Sequence, residues 1–531
     1  MATHSHPEVR GHALFRMGRL GSLLRYGFVA VLDALALWAA IWLAASGGYL
    51  LLSFLLLGTG GLNVALLSPR AYPLRYLLPG LFFMTMMVVY PIGYTVYVAF
   101  TDYGTGHVLT KGQAIDQLES RLYEPASAPR YPFRAFQNEA GELRFLITLP
   151  DGDTILSEGD RFEAVPPGDP TLVDTDGDGT VDELAGGYQA VTGLSLMRHL
   201  GDLQKRTFSY GESELRLASL TAFAELQHRY RYEPEADRLV DLQTDTVYRP
   251  VGGYFTNDQG ERLSPGYRSV VGLRNFQQLV TNPRISRPFM RVFVWTFVWA
   301  LASVASTFIM GLGLALVLND PRIRMRKLYR SLLILPYAFP AFISALVWRG
   351  LLNTEVGLIN RVLESVGIAA VPWLTDPFWA KVGVVLVNLW LGFPYMMLIT
   401  TGALQSIPGE LYEAAYCDGA TGWQRLRHIT LPMLMISVAP LLISSFAFNF
   451  NNFNVIYLVT QGRPPIPGAG TPAGATDILI SYTYRLAFEG GSGTNYGLAS
   501  AVAMMIFVLI GLISYVNFRF TGVFEKVGEN V

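Results

Sequence analysis

The sequence contains few charged residues and a single cysteine. Only 15% of its 531 residues are Asp, Glu, Lys or Arg, whereas a soluble protein of ordinary composition carries about 25%. This deficit argues against a chain that is surrounded by water over its whole surface. Because Cys417 is the only cysteine, no intramolecular disulfide can form. Any domain outside the cytoplasm must therefore be held together by its own core.

The sequence also lacks the motifs of an ATPase or an ion-coupled transporter. It has no G-x-x-x-x-G-K-[ST] phosphate loop, so we do not expect it to hydrolyse ATP. The apolar runs after residue 287 contain no Asp or Glu, which argues against coupling to protons or sodium ions. In the polar insert, His107, His199 and His228 stand in no catalytic motif. We predict no catalytic residue, no enzyme activity and no required cofactor in this chain.

What the sequence does contain is a set of apolar runs of membrane-spanning length. A hydrocarbon core about 30 Å thick requires roughly 20 apolar residues in a helix. The predicted spans are residues 26–46, 49–67, 76–99, 288–318, 329–352, 379–403, 433–460 and 497–519. The pattern predicts an all-α polytopic membrane protein with eight transmembrane helices. Asp33 in the first run is expected to face a neighbouring helix or the interface.

Basic residues in the short loops indicate the orientation of these spans, since cytoplasmic loops are enriched in Lys and Arg. They precede the first span and lie between spans two and three, four and five, and six and seven: Arg10, Arg16, Arg19, Arg25, Arg70, Arg75, Arg322, Arg324, Arg326, Lys327, Arg425 and Arg427. All fall on one side if both termini are cytoplasmic. Because no small-residue cleavage site follows the first run, the N-terminus is expected to be a retained anchor in the cell inner membrane.

The same pattern divides the chain into segments. They are a cytoplasmic N-terminus with two accessory spans (1–75), a third span (76–100), an extracytoplasmic domain (101–286), a five-span core (287–519) that includes the cytoplasmic loop 404–432, and a cytoplasmic tail (520–531).

The extracytoplasmic segment has the composition of a folded, water-soluble domain. It carries 28 acidic and 18 basic residues, against 13 and 22 in the rest of the chain. Apolar and polar residues alternate in Leu143–Leu149, and turn residues such as Asp151-Gly152 follow, which predicts strands. One stretch, Glu212–Tyr230, is predicted to be helical. We expect a mainly β domain of the α+β class, serving either as a tethered module or as a docking site for a soluble partner.

An acidic run in this domain follows the spacing of a calcium loop. Such loops place oxygen donors at positions 1, 3, 5 and 9, a glycine at 6 and a backbone carbonyl at 7. The candidate ligands are Asp174, Asp176, Asp178, the Thr180 carbonyl and Asp182. Position 12, usually a bidentate Glu, is Ala185, and Glu183 is the nearest substitute. A structural Ca²⁺ site and a metal-free acidic turn both remain open.

The cytoplasmic loop between spans six and seven is predicted to form two short helices joined at a glycine. Pro408 suits a helix start, Asp418-Gly419 a helix end, and Thr421 the cap of a second helix. The run Glu413-Ala414-Ala415-x-x-Asp418-Gly419-Ala420, followed by Ile429-x-Leu431-Pro432, resembles the "EAA" coupling loop of ABC importer permeases. The resemblance implies that this run contacts a separate cytoplasmic ATPase, with Glu413 as the polar anchor and Gly419 as the elbow.

Two of the apolar runs carry polar faces. In the sixth, Asn388, Gly392 and Tyr395 share one helical face, and in the seventh a second face is formed by Ser445, Phe448, Asn449 and Asn452. Asparagines in an apolar span are costly against lipid, so they must face other helices or a cavity. From the residues alone, they either join helices or offer amides and aromatic rings to a neutral sugar.

Much of the chain after residue 270 resembles the larger membrane subunit of maltose/maltodextrin importers. The agreement includes Leu335–Ala338, Asn388–Tyr395, Ser445–Phe453, Pro472–Gly474 with Thr476-Asp477, Tyr482–Arg485 and Ala487–Gly491. The resemblance implies that the sugar lies against Asn388, Leu391, Gly392, Tyr395, Ser445, Phe448, Asn449 and Asn452. A permease for another oligosaccharide is the alternative, and a membrane-tethered sensor or enzyme is a more distant one.

The same resemblance implies a mechanism and a set of partners. Alternating access would be driven by ATP bound to two copies of a cytoplasmic ATPase subunit. A second, shorter permease subunit would complete the pathway, and an extracytoplasmic maltose-binding protein would deliver maltose or maltodextrin. Membrane lipid would surround the spans, and no nucleic acid is expected to bind.

Overall fold

The structure is a computed structural model that describes residues 19–68, 74–166, 168–177, 179–191, 196–197, 199–203, 205–211, 213–320, 322–490 and 493–528. Contacts divide the chain into two units, which we call the helical unit and the β unit. The β unit comprises residues 103–269, and the helical unit comprises the residues before and after it. Residues 270–286, at the end of the predicted extracytoplasmic segment, therefore pack with the helical unit.

Helices make up nearly all of the helical unit. In chain order the described helices of both units are α1 (Arg19–Ala45), α2 (Tyr49–Leu67), α3 (Leu74–Met84), α4 (Tyr90–Ala99), α5 (Lys111–Glu119), α6 (Leu200–Leu203), α7 (Arg274–Thr281), α8 (Pro283–Asn319), α9 (Arg326–Ala338), α10 (Ala341–Leu351), α11 (Leu358–Ser365), α12 (Pro377–Gln405), α13 (Gly409–Cys417), α14 (Gly422–Arg425), α15 (Leu431–Phe450), α16 (Phe453–Val459), α17 (Leu479–Phe488) and α18 (Tyr496–Gly528). π-Helical turns at Thr85–Val89 and Leu426–Thr430 continue α3 into α4 and α14 into α15.

Several of these helices are long and apolar enough to cross a membrane. Within the described ranges there are six, and seven if the bent pair α9–α10 counts as one span. The six are Leu23–Ala45, Gly80–Ala99, Pro283–Asn319, Pro377–Gln405, Gly422–Phe450 and Tyr496–Val516. The second predicted span is present as α2, but its apolar part, Leu51–Leu67, is shorter than the others. Among the described residues, six to seven spans are thus supported by length and composition, and the count of eight stays a prediction.

The fifth predicted span, 329–352, is not one straight helix. α9 and α10 meet at an angle of 92°. Phe339 has an extended backbone (ψ 142°), as does Pro340 (ψ 123°). A residue that precedes proline is disfavoured in the helical region, and proline offers no N–H to continue the helix. The apolar composition of residues 329–352 predicts a span but does not indicate this break.

The seventh predicted span, 433–460, is also interrupted. α15 ends at Phe450, and α16 begins at Phe453. The side-chain oxygen of Asn452 accepts the N–H of Val455 at 3.4 Å and caps the new helix. Asn452, one of the asparagines on the predicted sugar face, therefore also begins the helix that follows the break.

The β unit is built from two sheets. Its strands are β1 (Leu122–Tyr123), β2 (Arg130–Gln137), β3 (Leu143–Thr148), β4 (Thr154–Glu158), β5 (Arg161–Val165), β6 (Leu172–Val173), β7 (Glu183–Leu184), β8 (Tyr188–Ala190), β9 (Phe208–Tyr210), β10 (Ser213–Ser219), β11 (Ala222–His228), β12 (Tyr230–Glu233), β13 (Arg238–Asp241), β14 (Thr246–Val251) and β15 (Tyr254–Thr256). The larger sheet has the order β1-β11-β10-β9-β5-β4-β3-β2-β8-β7-β6, and the smaller has β12-β13-β14-β15.

An additional pairing of β11 with β2 closes part of the larger sheet into a ring. The interior of the ring is filled by buried side chains, among them Phe145, Ile147, Phe208 and Phe223. The Phe208 and Phe223 rings pack edge to face at 5.3 Å. Closure leaves no unpaired edge among the strands of the ring, which helps to explain how this unit can be stable without a disulfide. The predicted β-rich domain is confirmed.

The helix predicted at Glu212–Tyr230 is wrong. This stretch forms the antiparallel hairpin β10–β11, with Leu215 opposite Glu225 and Leu217 opposite Phe223. Its Glu, Leu and Ala residues favour a helix locally, but Leu215 and Leu217 alternate with polar residues and are both buried in the ring. Tertiary burial therefore outweighed local propensity.

A buried ion pair holds the loop between α16 and α17. Asp477 is fully buried, and its carboxylate accepts hydrogen bonds from Arg485 Nη1 (2.7 Å), Ser481 Oγ (2.8 Å) and the Gly474 N–H (2.7 Å). Arg485 Nε also donates to Glu489 at 3.1 Å. Because every partner is supplied by this loop and α17, the carboxylate fixes the loop against the helix.

Replacing Arg485 with Gln should destabilise the helical unit, since removing one partner of a buried pair costs about 3–5 kcal/mol. The matched control is Arg463→Gln, because Arg463 is an exposed arginine of the same loop. Thermal unfolding of the purified chain in detergent is the measurement. Equal unfolding temperatures for the two variants would contradict a structural role for the pair.

Candidate functional site

Three asparagines from separate parts of the helical unit form one hydrogen-bonded chain. Asn388 of α12 donates through Nδ2 to Asn449 Oδ1 of α15 at 2.9 Å. Asn452, which precedes α16, donates to Asn388 Oδ1 at 3.3 Å. Asn449 Nδ2 in turn donates to the Ser445 carbonyl at 2.8 Å. We call these three residues the amide cluster.

The amide cluster is sheltered but not saturated. Asn388 and Asn449 are buried, with 6% and 8% of their surface exposed, and Asn452 is half-buried. Each side-chain nitrogen donates one hydrogen bond, although an amide nitrogen has two N–H groups. In this conformation the cluster joins helices. Each of its amide nitrogens also keeps a second N–H group that could donate a hydrogen bond to a hydroxyl oxygen.

The other predicted sugar-site residues are placed around this cluster in different ways. Leu391, Gly392 and Ser445 are half-buried, while Phe448 is 69% exposed. Tyr395 stacks on Tyr337 of α9, with ring centres 6.4 Å apart and planes inclined by 19°. The structure therefore brings the amides together and leaves the Phe448 ring apart from them on the surface.

Gly392 is one of the positions where α12 closely approaches α8. A Cβ at this position would lie 2.8 Å from Thr307 Cγ2, closer than side chains normally pack. The glycine therefore allows the two helices to pack backbone against side chain. A larger residue would separate α12 from α8. It would thereby also displace Asn388, which lies one turn from Gly392 on α12.

Two residues beside the site were not predicted to belong to it. Trp299 of α8 is fully buried and donates its indole N–H to the Asn449 carbonyl at 2.9 Å. Tyr337 supplies the ring that stacks on Tyr395. The stretch Leu335–Ala338 carried part of the family resemblance, which was the available signal for Tyr337. No local pattern indicated that Trp299 holds α15.

The predicted cytoplasmic loop forms a compact knob consisting of α13 and α14. Gly419 has a left-handed backbone (φ +75°), and its N–H donates to the Tyr416 carbonyl at 3.0 Å. The Ala420 N–H donates to the Ala415 carbonyl at 2.9 Å. These two bonds are a Schellman motif, which glycine favours because it has no Cβ. The predicted elbow is therefore a defined helix end.

Thr421 caps the N-terminus of α14, the second helix of the knob. Thr421 Oγ1 accepts the N–H of Gln424, and the Gln424 side chain accepts the N–H of Thr421 at 2.7 Å. The hydroxyls of Tyr412 and Thr430 lie 3.0 Å apart and link α13 to the turn before α15. These hydrogen bonds join both helices of the knob to the segment that continues into α15.

Much of the surface of the knob is exposed. Among the predicted coupling residues, Glu413, Ala414, Asp418 and Gly419 are exposed, and Ala415 and Ala420 are half-buried. The neighbouring rings of Tyr416 and Trp423 are 72% and 67% exposed. Exposed aromatic rings beside small residues are typical of a protein-binding surface.

The predicted calcium loop brings its described acids together. Carboxylate oxygens of Asp174, Asp176 and Asp182 lie within 4.8 Å of one another. The Asp174 carboxylate accepts the N–H groups of Gly177 (2.8 Å) and Gly179 (2.9 Å). Asp178 lies outside the described residues. An all-oxygen donor set suits Ca²⁺, so the residues present fit the predicted ion, and its binding stays a prediction.

Two further residues limit this site. Glu183 pairs with Val173 in the β6–β7 ladder and does not join the acidic group. Ala185 supplies no side-chain oxygen at the position where a bidentate Glu is usual. Among the described residues, the oxygen atoms predicted to bind Ca²⁺ are those of Asp174, Asp176 and Asp182 and the Thr180 carbonyl.

Calcium should protect the β unit from limited proteolysis, because a ligand that binds only the folded state stabilises it. The protection should be lost in Asp174→Asn and Asp182→Asn, which remove ligand charge. Glu163→Gln, an exposed acid of β5 outside the acidic group, is the control and should behave as the wild type. Cleavage rates that do not respond to Ca²⁺ in the wild type would favour the metal-free turn.

The helices, the amide cluster between spans and the exposed knob describe a membrane transport permease. Residues 307–521 match the family model of the binding-protein-dependent transport system inner membrane component. Residues 82–160 match the model for the N-terminal part of the transmembrane subunit in PBP-dependent ABC transporters. The chain is a multi-pass inner-membrane permease and not an enzyme, as predicted.

Comparison with whole proteins narrows this class. The chain is 40% identical over 473 residues to the maltose/maltodextrin transport system permease protein MalF of Vibrio vulnificus (strain YJ016), which covers 87% of each chain. It is 36% identical over 513 residues to the protein of the same name from Escherichia coli (strain K12), covering 94% of this chain and 96% of that one. The chain belongs to the MalF family of maltose/maltodextrin transport system permease proteins, and the predicted resemblance is confirmed.

A solved structure is also similar to part of the chain. It is a bacterial ABC transporter involved in the import of the acidic polysaccharide alginate, with 26% sequence identity and a TM-score of 0.39. The match covers 47% of this chain and 84% of that chain.

Proposed function

We propose that the chain is the larger permease subunit of an ATP-driven importer of maltose and maltodextrins, which works by alternating access. The observation that carries the proposal is 40% identity to a maltose/maltodextrin permease over 87% of both chains. The nature of the amide cluster agrees with it, because uncharged amides hydrogen-bond sugar hydroxyls without imposing charge. Import of another oligosaccharide is the alternative within the same class.

The proposed topology has eight spans with both termini in the cytoplasm. It counts α2 and the bent pair α9–α10 as spans in addition to the six long apolar helices. The basic run between α8 and α9, which includes Arg322, Arg324 and Lys327, supports this orientation because cytoplasmic loops are enriched in Lys and Arg. The β unit then lies outside, where a soluble sugar-binding protein would dock.

The sugar site is proposed to be the amide cluster together with Leu391, Gly392, Tyr395, Ser445 and Phe448. Joining helices and binding sugar are two states of the same groups in this mechanism. When α12 and α15 are close, Asn388 and Asn449 satisfy each other. When the helices separate, the freed amides can bond sugar hydroxyls, so the polar groups are never left unsatisfied in the membrane.

Asn449→Ala should reduce maltose transport about tenfold or more, because it removes an amide that bonds the sugar and leaves Asn388 without its acceptor. The measurement is maltose-stimulated ATPase activity and uptake in vesicles that contain the whole importer and its binding protein. Asn454→Ala is the matched control, since Asn454 is an exposed asparagine of α16. Unchanged stimulation in Asn449→Ala would show that the site assignment is wrong.

The knob is proposed to seat in one of two copies of a cytoplasmic ATPase subunit. The proposed contact set is Glu413, Ala414, Ala415, Asp418, Gly419 and Ala420. Glu413 is exposed and has no ion pair or hydrogen bond among the described residues, so its carboxylate is free to bond a partner. A second, shorter permease subunit would hold the other ATPase and complete the pathway, because one such bundle lines only half of it.

Glu413→Lys should uncouple ATP hydrolysis from maltose and weaken co-purification of the ATPase subunit, because a cation would replace the anchoring carboxylate. The stability of the permease itself should not change, since Glu413 has no intramolecular partner. Glu410→Lys, the same change one turn earlier on α13, should keep most of the coupling. If both variants behave alike, general surface charge and not the Glu413 contact explains the effect.

A further inference from the structure

A groove of about 1160 Å³ lies on the side of the helical unit. Its walls are α8, α12 and the loop that contains Pro465 and Gly474. None of the predicted sugar-site residues lines it. The loop wall is rigid, because it is held by the buried Asp477–Arg485 pair and because the Trp295 indole N–H donates to the Thr476 carbonyl at 3.2 Å.

One end of the groove is cationic. Its lining includes Arg287, Arg291 and Lys381, and no carboxylate. Lys381 Nζ lies 4.7 Å from the centre of the Trp295 ring, so a cation–π contact fixes its position. Within the part of the chain that the structure describes, neither arginine has a hydrogen bond or an ion pair. Like charges four residues apart on a helix repel each other, so an anion bound at this end would relieve the repulsion.

Below the cations the groove is apolar. On α8 the residues Met290, Val294, Val298 and Ala302 recur every four positions and form a continuous stripe. Val382, Val385, Leu386 and Leu389 of α12 face the same groove. At 1.5 Å per residue, the stripe below Arg291 runs for roughly 16 Å along α8. That length matches one leaflet of a hydrocarbon core about 30 Å thick.

We propose that this groove binds one anionic phospholipid, with the phosphate head group on Arg287, Arg291 and Lys381 and an acyl chain along the apolar stripe. Side chains must recognise the head group, because the first N–H groups of α12 are occupied: Asp376 accepts those of Phe378 (2.9 Å) and Trp379 (3.0 Å). In the proposed topology this is the outer leaflet. The lipid acts as a wedge between α8 and α12, the helices that carry Thr307 and Asn388.

A span of the second permease subunit is the competing occupant. The charges favour lipid, because an apolar span would bury three cations of this chain against hydrocarbon unless it brought matching acids, which are rare and costly in spans. A phospholipid supplies the anion at the interface and the hydrocarbon below it in one molecule. The order of charge and apolar surface along the groove is the order found in a lipid.

The test compares lipids retained by the assembled importer. The complex is reconstituted in nanodiscs of phosphatidylcholine with one-fifth phosphatidylglycerol, extracted into detergent, and its bound lipids are measured by native mass spectrometry. We expect the wild type to be enriched in phosphatidylglycerol. The triple variant Arg287→Gln, Arg291→Gln, Lys381→Gln should lose this enrichment by at least about fivefold, since each cation near a lipid surface contributes about that factor.

Three controls separate the possible causes. Arg349→Gln removes an exposed cation from the last turn of α10, outside the groove, and should leave the enrichment unchanged. The triple variant Arg287→Lys, Arg291→Lys, Lys381→Arg keeps the charges and should also keep it. Val298→Trp leaves the cations in place but fills the stripe, and should lower the amount of bound lipid.

Two results would overturn the proposal. One is unchanged phosphatidylglycerol enrichment in the triple Gln variant. The other is loss of the second permease subunit from that variant, to the same extent in phosphatidylcholine alone and with phosphatidylglycerol, which would show that the groove is a protein interface. Because lipid retention is read without maltose, neither result depends on the identity of the sugar.

Discussion

The bilayer cannot hydrogen-bond to a polypeptide, and this constraint governs the helical unit. A buried polar group that lacks a partner inside the protein is therefore costly. The hydroxyl of Thr296 donates to the Val292 carbonyl at 2.7 Å, and that of Thr307 donates to the Ser303 carbonyl at 2.7 Å. The amide cluster obeys the same rule across three helices. In the structure, the side chains of the amide cluster satisfy one another in this way.

That requirement connects the closed amide cluster to transport. In the proposed mechanism, the bond between Asn388 and Asn449 is replaced by bonds to sugar hydroxyls, with little net change in the number of satisfied groups. The knob is rigid at both ends and continues through a π-helical turn into α15, the helix that carries Asn449. A displacement of the knob is thus linked by continuous helix to one half of the cluster.

Charged side chains near the ends of the spans also differ according to whether they are buried. The Asp477–Arg485 pair is buried because each ion has the other as a partner and further hydrogen bonds complete the shell. Arg287 and Arg291 lie instead at an open groove that contains no carboxylate. The first arrangement makes a wall rigid, and the second leaves positive charge for a ligand from outside the chain. The β unit meets a different solvent and relies on a closed ring of strands around phenylalanine side chains.

The family relationship, the apolar spans, the β-rich domain and the two-helix form of the knob could be predicted from the sequence. Their causes are local: a bilayer needs long apolar runs, and Gly419 and Thr421 decide a helix end and start within a few residues. The bend at Phe339-Pro340 was also encoded locally, but the run's apolar composition concealed it.

Tertiary structure alone decided the rest. The bonds of the amide cluster join residues 61 and 64 positions apart. The strand state of Leu215 and Leu217 follows from burial within a ring built from distant segments. The groove requires α8 and α12, neighbouring helices that are separate in sequence. Which residues meet across such separations depends on packing of the whole unit, and no periodicity within one segment records it.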